Sequence, residues 1–355
     1  MRSSKSKVQS SKSAICNSRG VALIMVLWVV AILSVIVLEF SFAMRTEVNI
    51  AKNFKEETQL GAMAEGGVQR AIAELIYKHD TRIQQMRKNF IIEEIPPEKK
   101  EWVADGRPYL LPFDQGNCEV RVMSEAGKIN INTVSDATLR KIMGQFGLEG
   151  EAKDVVVDSI QDWRDPDDLH RLNGAENDYY RSLKEPYDCK NGNLDSIEEL
   201  LLIKGVTPAL FYGMKEPKKE EGGESGGAKA DQVALRDIFS IYSSGEQVDI
   251  NSAASPVLRI VLGLPKEVAQ SILKAREEKA FQNQQDLLQR VPELTPFIGG
   301  LGNLLLYQSP LPFYTVESRG KNKEGRSVRG LKVIVKVDRA EKNGYKIIQW
   351  VDRLI

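Results

Sequence analysis

The sequence predicts an α+β chain: a long N-terminal helix, a small antiparallel sheet, and a large, mostly helical domain inserted between the strands. Three observations predict it. An uncharged apolar run near the N-terminus continues into a segment of helix-favouring composition. Strand-like alternation is confined to residues 113–132 and 313–351. The stretch between them reads mostly as helices. With 355 residues, 42% apolar and 28% charged, the chain is long enough for a sizeable core.

The N-terminal element begins behind a basic leader. Residues 1–20 hold Arg2, Lys5, Lys7, Lys12 and Arg19 and no Asp or Glu. Val21 to Leu38 then reads VALIMVLWVVAILSVIVL without a charge. As a helix this run extends roughly 27 Å, close to the roughly 30 Å of a bilayer's hydrocarbon core. Glu39 interrupts it, and Phe40, Phe42, Ala43 and Met44 continue an apolar face. The leader's charge predicts a cytoplasmic N-terminus and a single membrane span, with the bulk of the chain on the far side. Ser41-Phe42-Ala43 is a poor site for secretory signal cleavage, so the apolar segment is expected to stay attached. Residues 45–79 favour helix, with apolar positions at Val48, Ala51, Leu60, Met63, Val68, Ile72 and Leu75, weakened at Gly61, Gly66 and Gly67.

The strands come next. FDQGNCEVRVMSEAGKININ (113–132) alternates, with an expected turn at Glu125-Ala126-Gly127. At the C-terminus Phe313 to Arg319, Val328 to Val337 and Tyr345 to Val351 are three further runs joined by glycine-bearing turns, a pattern that suits antiparallel pairing. Between the clusters lies an internal echo. Ile131-Asn132-Thr133 with Leu139-Arg140 recurs as Ile250-Asn251-Ser252 with Leu258-Arg259. Each copy leads into short helices of helix-hairpin-helix type. Residues 216–229, rich in Gly, Lys and Glu, read as a flexible loop between the copies. The segments expected are therefore a leader (1–20), a transmembrane and assembly helix (21–44), a helix with the first strands (45–126), the inserted helical domain (127–307), and the closing strands (308–355).

Lys+Arg and Asp+Glu both total 49, so no net charge favours nucleic acid. The hairpin turns at Lys204-Gly205 and Gly263-Leu264-Pro265 lack the second glycine that close approach to a phosphate requires. Helix packing is the expected role of these units. Only two histidines are present, and no nucleophile stands beside an evident base, so the sequence excludes the common catalytic constellations and no enzyme is expected.

One stretch carries concentrated chemistry. QDWRDPDDLHRLNGAENDYY (161–180) gathers Asp162, Asp165, Asp167, Asp168, Glu176 and Asp178 around two turns. Such an oxygen-rich loop suits calcium, although its spacing is not that of an EF-hand. The alternative is a solvated acidic loop. Asp165, Asp167 and Glu176 are the leading ligand candidates, followed by Asp162, Asp168, Asn177 and Asp178; residues 188–195 (DCKNGNLD) could add a further oxygen site. Beyond Cys16 in the leader, Cys118 and Cys189 are either two free buried thiols or one disulfide, which would restrain the unfolded chain by roughly 4 kcal/mol.

The junction Arg19-Gly20/Val21 directly before the apolar run resembles the prepilin peptidase site of the type IV pilin superfamily. The resemblance implies cleavage after Gly20 and N-methylation of a mature first residue Val21. It also implies a pilin-like fold, with the long helix packed on the small sheet. Most members of the superfamily carry Glu as the fifth mature residue, and this chain has Met25. That departure, the large globular part, the 161–180 stretch and the IEELLLIKGV segment together resemble the K-type minor pseudopilins of type II secretion. What this resemblance implies is a subunit that forms the tip of a short pseudopilus, initiating or capping it, in export of folded proteins across the outer membrane. Its partners would be the I- and J-type minor pseudopilins, with the H-type and the major pseudopilin as further candidates, and the prepilin peptidase. Calcium is a family feature. The alternatives are a minor pilin of a type IV pilus priming complex and a membrane-tethered helix-hairpin-helix DNA receptor.

Overall fold

A computed structural model describes residues 18–79, 102–213, 233–309, 311–325 and 328–352. Most of the leader and the 216–229 loop lie outside the described residues. Helix α1 runs Ser18–His79. The chain divides between Gln59 and Leu60 into two units. In the first unit the apolar side chains stand bare: Leu23 to Leu38 includes Trp28 at 67% and Leu38 at 68% exposure. Surface of that kind is stable only against lipid or another apolar partner. Among the described residues this is the one helix long and apolar enough to cross a membrane.

The second unit contains two cores. In the smaller one, Ala64, Val68, Ala71, Ile72 and Leu75 line one stripe of α1 at helical spacing and pack on a five-stranded antiparallel sheet. The strands are β1 (Asp105–Phe113), β2 (Gly116–Ser124), β7 (Phe313–Asn322), β8 (Val328–Val337) and β9 (Tyr345–Asp352), in the order β1-β2-β7-β8-β9. Alternate residues face the helix, among them Val120, Val122, Val316, Val333 and Val335, which are essentially unexposed. Val48 and Ala51, expected on an apolar stripe, are exposed, whereas Leu60, Met63, Val68, Ile72 and Leu75 are buried as expected. Gly67, like Gly320 on the sheet side, marks a close approach of helix and sheet. A β-carbon there would run into Ser318, Cys118 and Val120, and the Ser318 hydroxyl donates to the Ala64 carbonyl at 2.7 Å.

Two expectations for the first hairpin need correction. The strand pair starts at Asp105, not Phe113, and its turn is Asp114-Gln115. Glu125-Ala126-Gly127 forms instead a buried 3₁₀ turn that carries the chain from the sheet into the helical part. Glu125 anchors that junction: Thr315 Oγ1 donates to its carboxylate at 2.6 Å and Lys128 Nζ at 3.2 Å.

Between β2 and β7 lies the larger, helical core. It contains two short parallel pairs, β3 (Ile129–Asn130) with β4 (Phe239–Ser240) and β5 (Val248–Asp249) with β6 (Leu305–Leu306). The internal echo proves to be a repeated structural device. Asn132 donates to the Leu194 carbonyl (3.0 Å) and accepts from its amide (2.8 Å). Asn251 does the same with Phe281, at 2.9 and 2.7 Å. Arg164 donates to the carbonyls of Ile131 and Val134, and Arg276 donates to the matching carbonyls of Ile250 and Ala253. Each copy thus satisfies the same buried backbone groups by the same means.

Candidate functional site

The acidic stretch follows helix α3 (Gly150–Arg164), the second helix of the first copy after α2 (Asp136–Gln145). Asp162, on the last turn, is fully buried. Its carboxylate accepts from the Arg171 amide (3.1 Å), the Arg171 guanidinium (2.7 Å) and the Ala175 amide (2.9 Å), folding residues 165–175 back over the helix end. Gly174 is required by that fold, because a β-carbon there would occupy the Asp162 carboxylate. Burial pushes the Asp162 carboxyl above its ordinary range, and its bonds to Arg171 work against the shift. Arg171 also pairs with Asp165 Oδ2 at 2.6 Å.

Asp168 Oδ1 receives two amide donors, Asn177 Nδ2 at 2.7 Å and Asn191 Nδ2 at 2.9 Å. Asn177 Oδ1 in turn accepts from the Cys189 amide at 2.8 Å. The 188–195 segment is therefore tied to the same cluster. Two predicted residues look outward: Asp167 and Asp178 are exposed, and their carboxylates accept from the amides of Leu169 and Tyr179. Below the loop, Trp163 meets Tyr180 edge-on at 5.2 Å, and Tyr180 stacks on Tyr187 at 5.3 Å. Lys204 Nζ donates to the Gly174 carbonyl at 2.9 Å.

The floor of this loop is short of donors. Glu176 is only 2% exposed, yet neither of its carboxylate oxygens has a hydrogen-bond partner. Asp165 Oδ1 and Asn191 Oδ1 are likewise buried and unpartnered. Burial raises the Glu176 carboxyl to about 7, the charges of Asp162, Asp165 and Asp168 adding to the shift and the neighbouring Cys189 thiol working against it. Buried acceptors without donors are costly and uncommon. A hard cation satisfies such a set, since calcium takes carboxylate, amide and carbonyl oxygens in flexible numbers. Among the described residues no three His, Cys, Asp or Glu side chains converge closely enough to hold an ion by themselves. The side chains left that could hold one are Glu176, Asp165 and the Asn191 amide, the three with buried oxygens lacking a hydrogen-bond partner. Asn191 is the residue that sequence reasoning did not single out. Its φ of 47° within Asn-Gly is the local signal of a loop bent to aim that side chain.

Cys118 and Cys189 do not form a disulfide. Both are free and buried, Cys118 in the sheet core 3.1 Å from Ser318 Oγ, Cys189 in the helical core beneath the loop. Burial, then the neighbouring Glu176, pushes the Cys189 thiol up to about 12. Gly20 and Val21 lie in the helical backbone of α1, and Met25 is exposed on its apolar part.

The hairpin units bear on the DNA alternative. Arg164 and Arg276, basic residues that could face a phosphate, are engaged by carbonyls of their own copies, and Arg276 is 6% exposed.

Comparison with known proteins adds to this geometry. Residues 121–216 match the family described as type II secretion system (T2SS), protein K, and residues 243–297 match the helix-hairpin-helix motif. The type II secretion system protein K of Pseudomonas aeruginosa is 24% identical over 285 residues, covering 78% of this chain and 77% of that protein. The protein of that name from Aeromonas hydrophila is 23% identical over 313 residues, covering 81% and 84%. Among solved structures, the GspK-GspI-GspJ complex of the enterotoxigenic Escherichia coli type 2 secretion system contains a chain that superposes with a TM-score of 0.55. That match spans 87% of this chain and all of the other at 13% identity, a likeness of fold.

Proposed function

From the premise that the chain belongs to the type II secretion system protein K family, we propose that it is the minor pseudopilin at the tip of the pseudopilus, where it initiates or caps assembly. The observation that carries this reading is the division of α1. Its first part exposes a charge-free apolar run from Leu23 to Leu38, and its second part packs on a small sheet interrupted by a large helical unit. The first part suits an anchor in the inner membrane and, on extraction, the apolar interior of a filament. Met25 supports a terminal position. A carboxylate there would need a cationic partner in apolar surroundings, and a subunit without one places no such demand on a neighbour ahead of it. The helical unit is too bulky for a filament interior and is readily accommodated at an end.

On this reading prepilin peptidase cleaves between Gly20 and Val21, the Val21 amine is methylated, and the globular part lies in the periplasm. The I- and J-type minor pseudopilins are its partners, as the solved complex of a structurally similar chain suggests, with the H-type and major pseudopilins next in line. The role is structural and no reaction is assigned to it. Calcium is the proposed ligand of the 165–191 loop, held by Glu176, Asp165 and Asn191 with Asp162, Asp168 and Asn177 behind them. The unpartnered oxygens of the first three support this assignment. Bound there, the ion would supply charge compensation and crosslink the loop.

Deleting the gene and following secreted proteins tests the function. The expected result is folded exoproteins stranded in the periplasm, with surface fibres and twitching intact. Loss of fibres and twitching with secretion unaffected would move the chain to the type IV pilus alternative. Salt-sensitive duplex binding by residues 45–355 would favour the DNA receptor.

A further inference from the structure

The two most exposed large apolar side chains in the described residues are not on the apolar helix. They are Leu172 at 93% and Leu169 at 79%, both on the loop after α3; the most exposed on the helix is Phe42 at 75%. The loop that presents them is held firmly. Asp162 fixes the amides of Arg171 and Ala175, and Arg171 reaches inward to Asp162 and Asp165. Asp167 caps the Leu169 amide at 2.9 Å, and Asp158 accepts from Asn173 at 3.3 Å. All these restraints come from the chain itself. A pre-ordered apolar pair of this kind offers contact area without the entropic cost of ordering it on binding.

The surroundings select the partner. Asp167 and Asp168 are exposed beside the leucines, the Arg171 guanidinium is turned to Asp162 and Asp165, and Arg181, whose charge reaches Asp168, is paired with Asp188 at 2.7 Å. An acidic rim is repelled by anionic headgroups, which disfavours a lipid surface. It complements Lys and Arg side chains around an apolar pocket on a protein. We propose that the loop 165–173 is a protein-docking knob, in which Leu169 and Leu172 enter an apolar pocket whose basic rim faces Asp167 and Asp168. The proposal goes beyond the pseudopilin reading and does not require the metal.

The test uses the full-length chain in cells, with a benzophenone amino acid at His170, between the two leucines, and at exposed Lys184 as control. The expected result is a protein adduct at His170, absent at Lys184, whose crosslinked peptide lines an apolar pocket rimmed by Lys or Arg. That adduct should fall at least tenfold in the Leu169→Ser/Leu172→Ser variant, and severalfold in Asp167→Asn, with melting curves matching the parent chain. Adducts to lipid only, to a second copy of this chain, or to nothing would overturn the proposal. So would a protein adduct that the double serine variant leaves unchanged while folding normally.

Discussion

The two copies inside the helical unit start from the same plan and diverge at one point. In each, an asparagine two residues beyond a short strand is paired with a distant main-chain amide and carbonyl, and an arginine is bound to the two flanking carbonyls. In the second copy Arg276 and Phe281 lie five residues apart, so the chain returns almost at once. In the first, thirty residues separate Arg164 from Leu194, and within them stand the unpartnered oxygens, the exposed leucines and nearly every predicted ligand. The shared device builds the scaffold, and the extra loop carries the chemistry, as is general for sites on rigid supports.

The comparison can be broken by mutation. Arg276 is 6% exposed, also donates to the Asp105 carbonyl at 3.3 Å, and lies 3.8 Å from the Asp105 carboxylate. Arg276→Ala is expected to cost about 3–5 kcal/mol in urea unfolding, because it removes a buried cation from carbonyls and from an acidic partner. Arg164→Ala should cost about 1–3 kcal/mol, since Arg164 is less buried and hydrogen-bonds carbonyls and the Gln161 amide, with Asp165 and Asp136 acting on it through charge alone. Equal costs would show that the copies are held alike and that the Asp105 contact adds nothing.

A second pair of measurements separates the loop from the scaffold. Glu176→Gln should raise calcium-free stability by about 1–3 kcal/mol, by replacing a buried unpaired carboxylate with a neutral amide, and should abolish any rise in Tm on adding calcium. Asp286→Asn, in the second copy, should leave the calcium response intact. A calcium response that survives Glu176→Gln would move the ion elsewhere.

The same carboxylate also predicts an effect in pH. The Glu176 carboxyl, ordinarily near 4.5, is raised to about 7 in the folded chain. The folded state therefore binds the proton more tightly than the unfolded state does. That stability is fully present below about pH 4.5 and is lost as pH rises through about 7. In calcium-free protein Tm should decline across this interval. The decline should vanish in Glu176→Gln, and a parent chain with flat Tm would contradict the burial of an uncompensated carboxylate.

Legibility in the sequence followed the strength of local signals. β8 matches its predicted run, while β7 and β9 extend at their C-terminal ends to Asn322 and Asp352. Their turns end in Gly325 and Gly344, both at positive φ (68° and 77°), where the backbone itself demands glycine. β1 was hidden because Asp105–Phe113 contains Gly106, Pro108 and Pro112. Prolines are tolerated there because β1 is an edge strand, with an irregular register between Asp105 and Pro108. Residue type alone pointed to Glu176 and Asp165. It could not separate them from outward-facing Asp167, because the distinction lies in which carboxylates the folded loop turns inside. The choice between free thiols and a disulfide stayed open for a similar reason: spacing does not reveal that Cys118 and Cys189 occupy different cores.

The pilin-type origin of α1 is tested most directly by the mass of the N-terminal peptide of protein isolated from membranes with and without an active prepilin peptidase. The expected start is N-methyl-Val21, present only with the peptidase; an uncut Met1, or a cut near Ala43, would contradict the assignment.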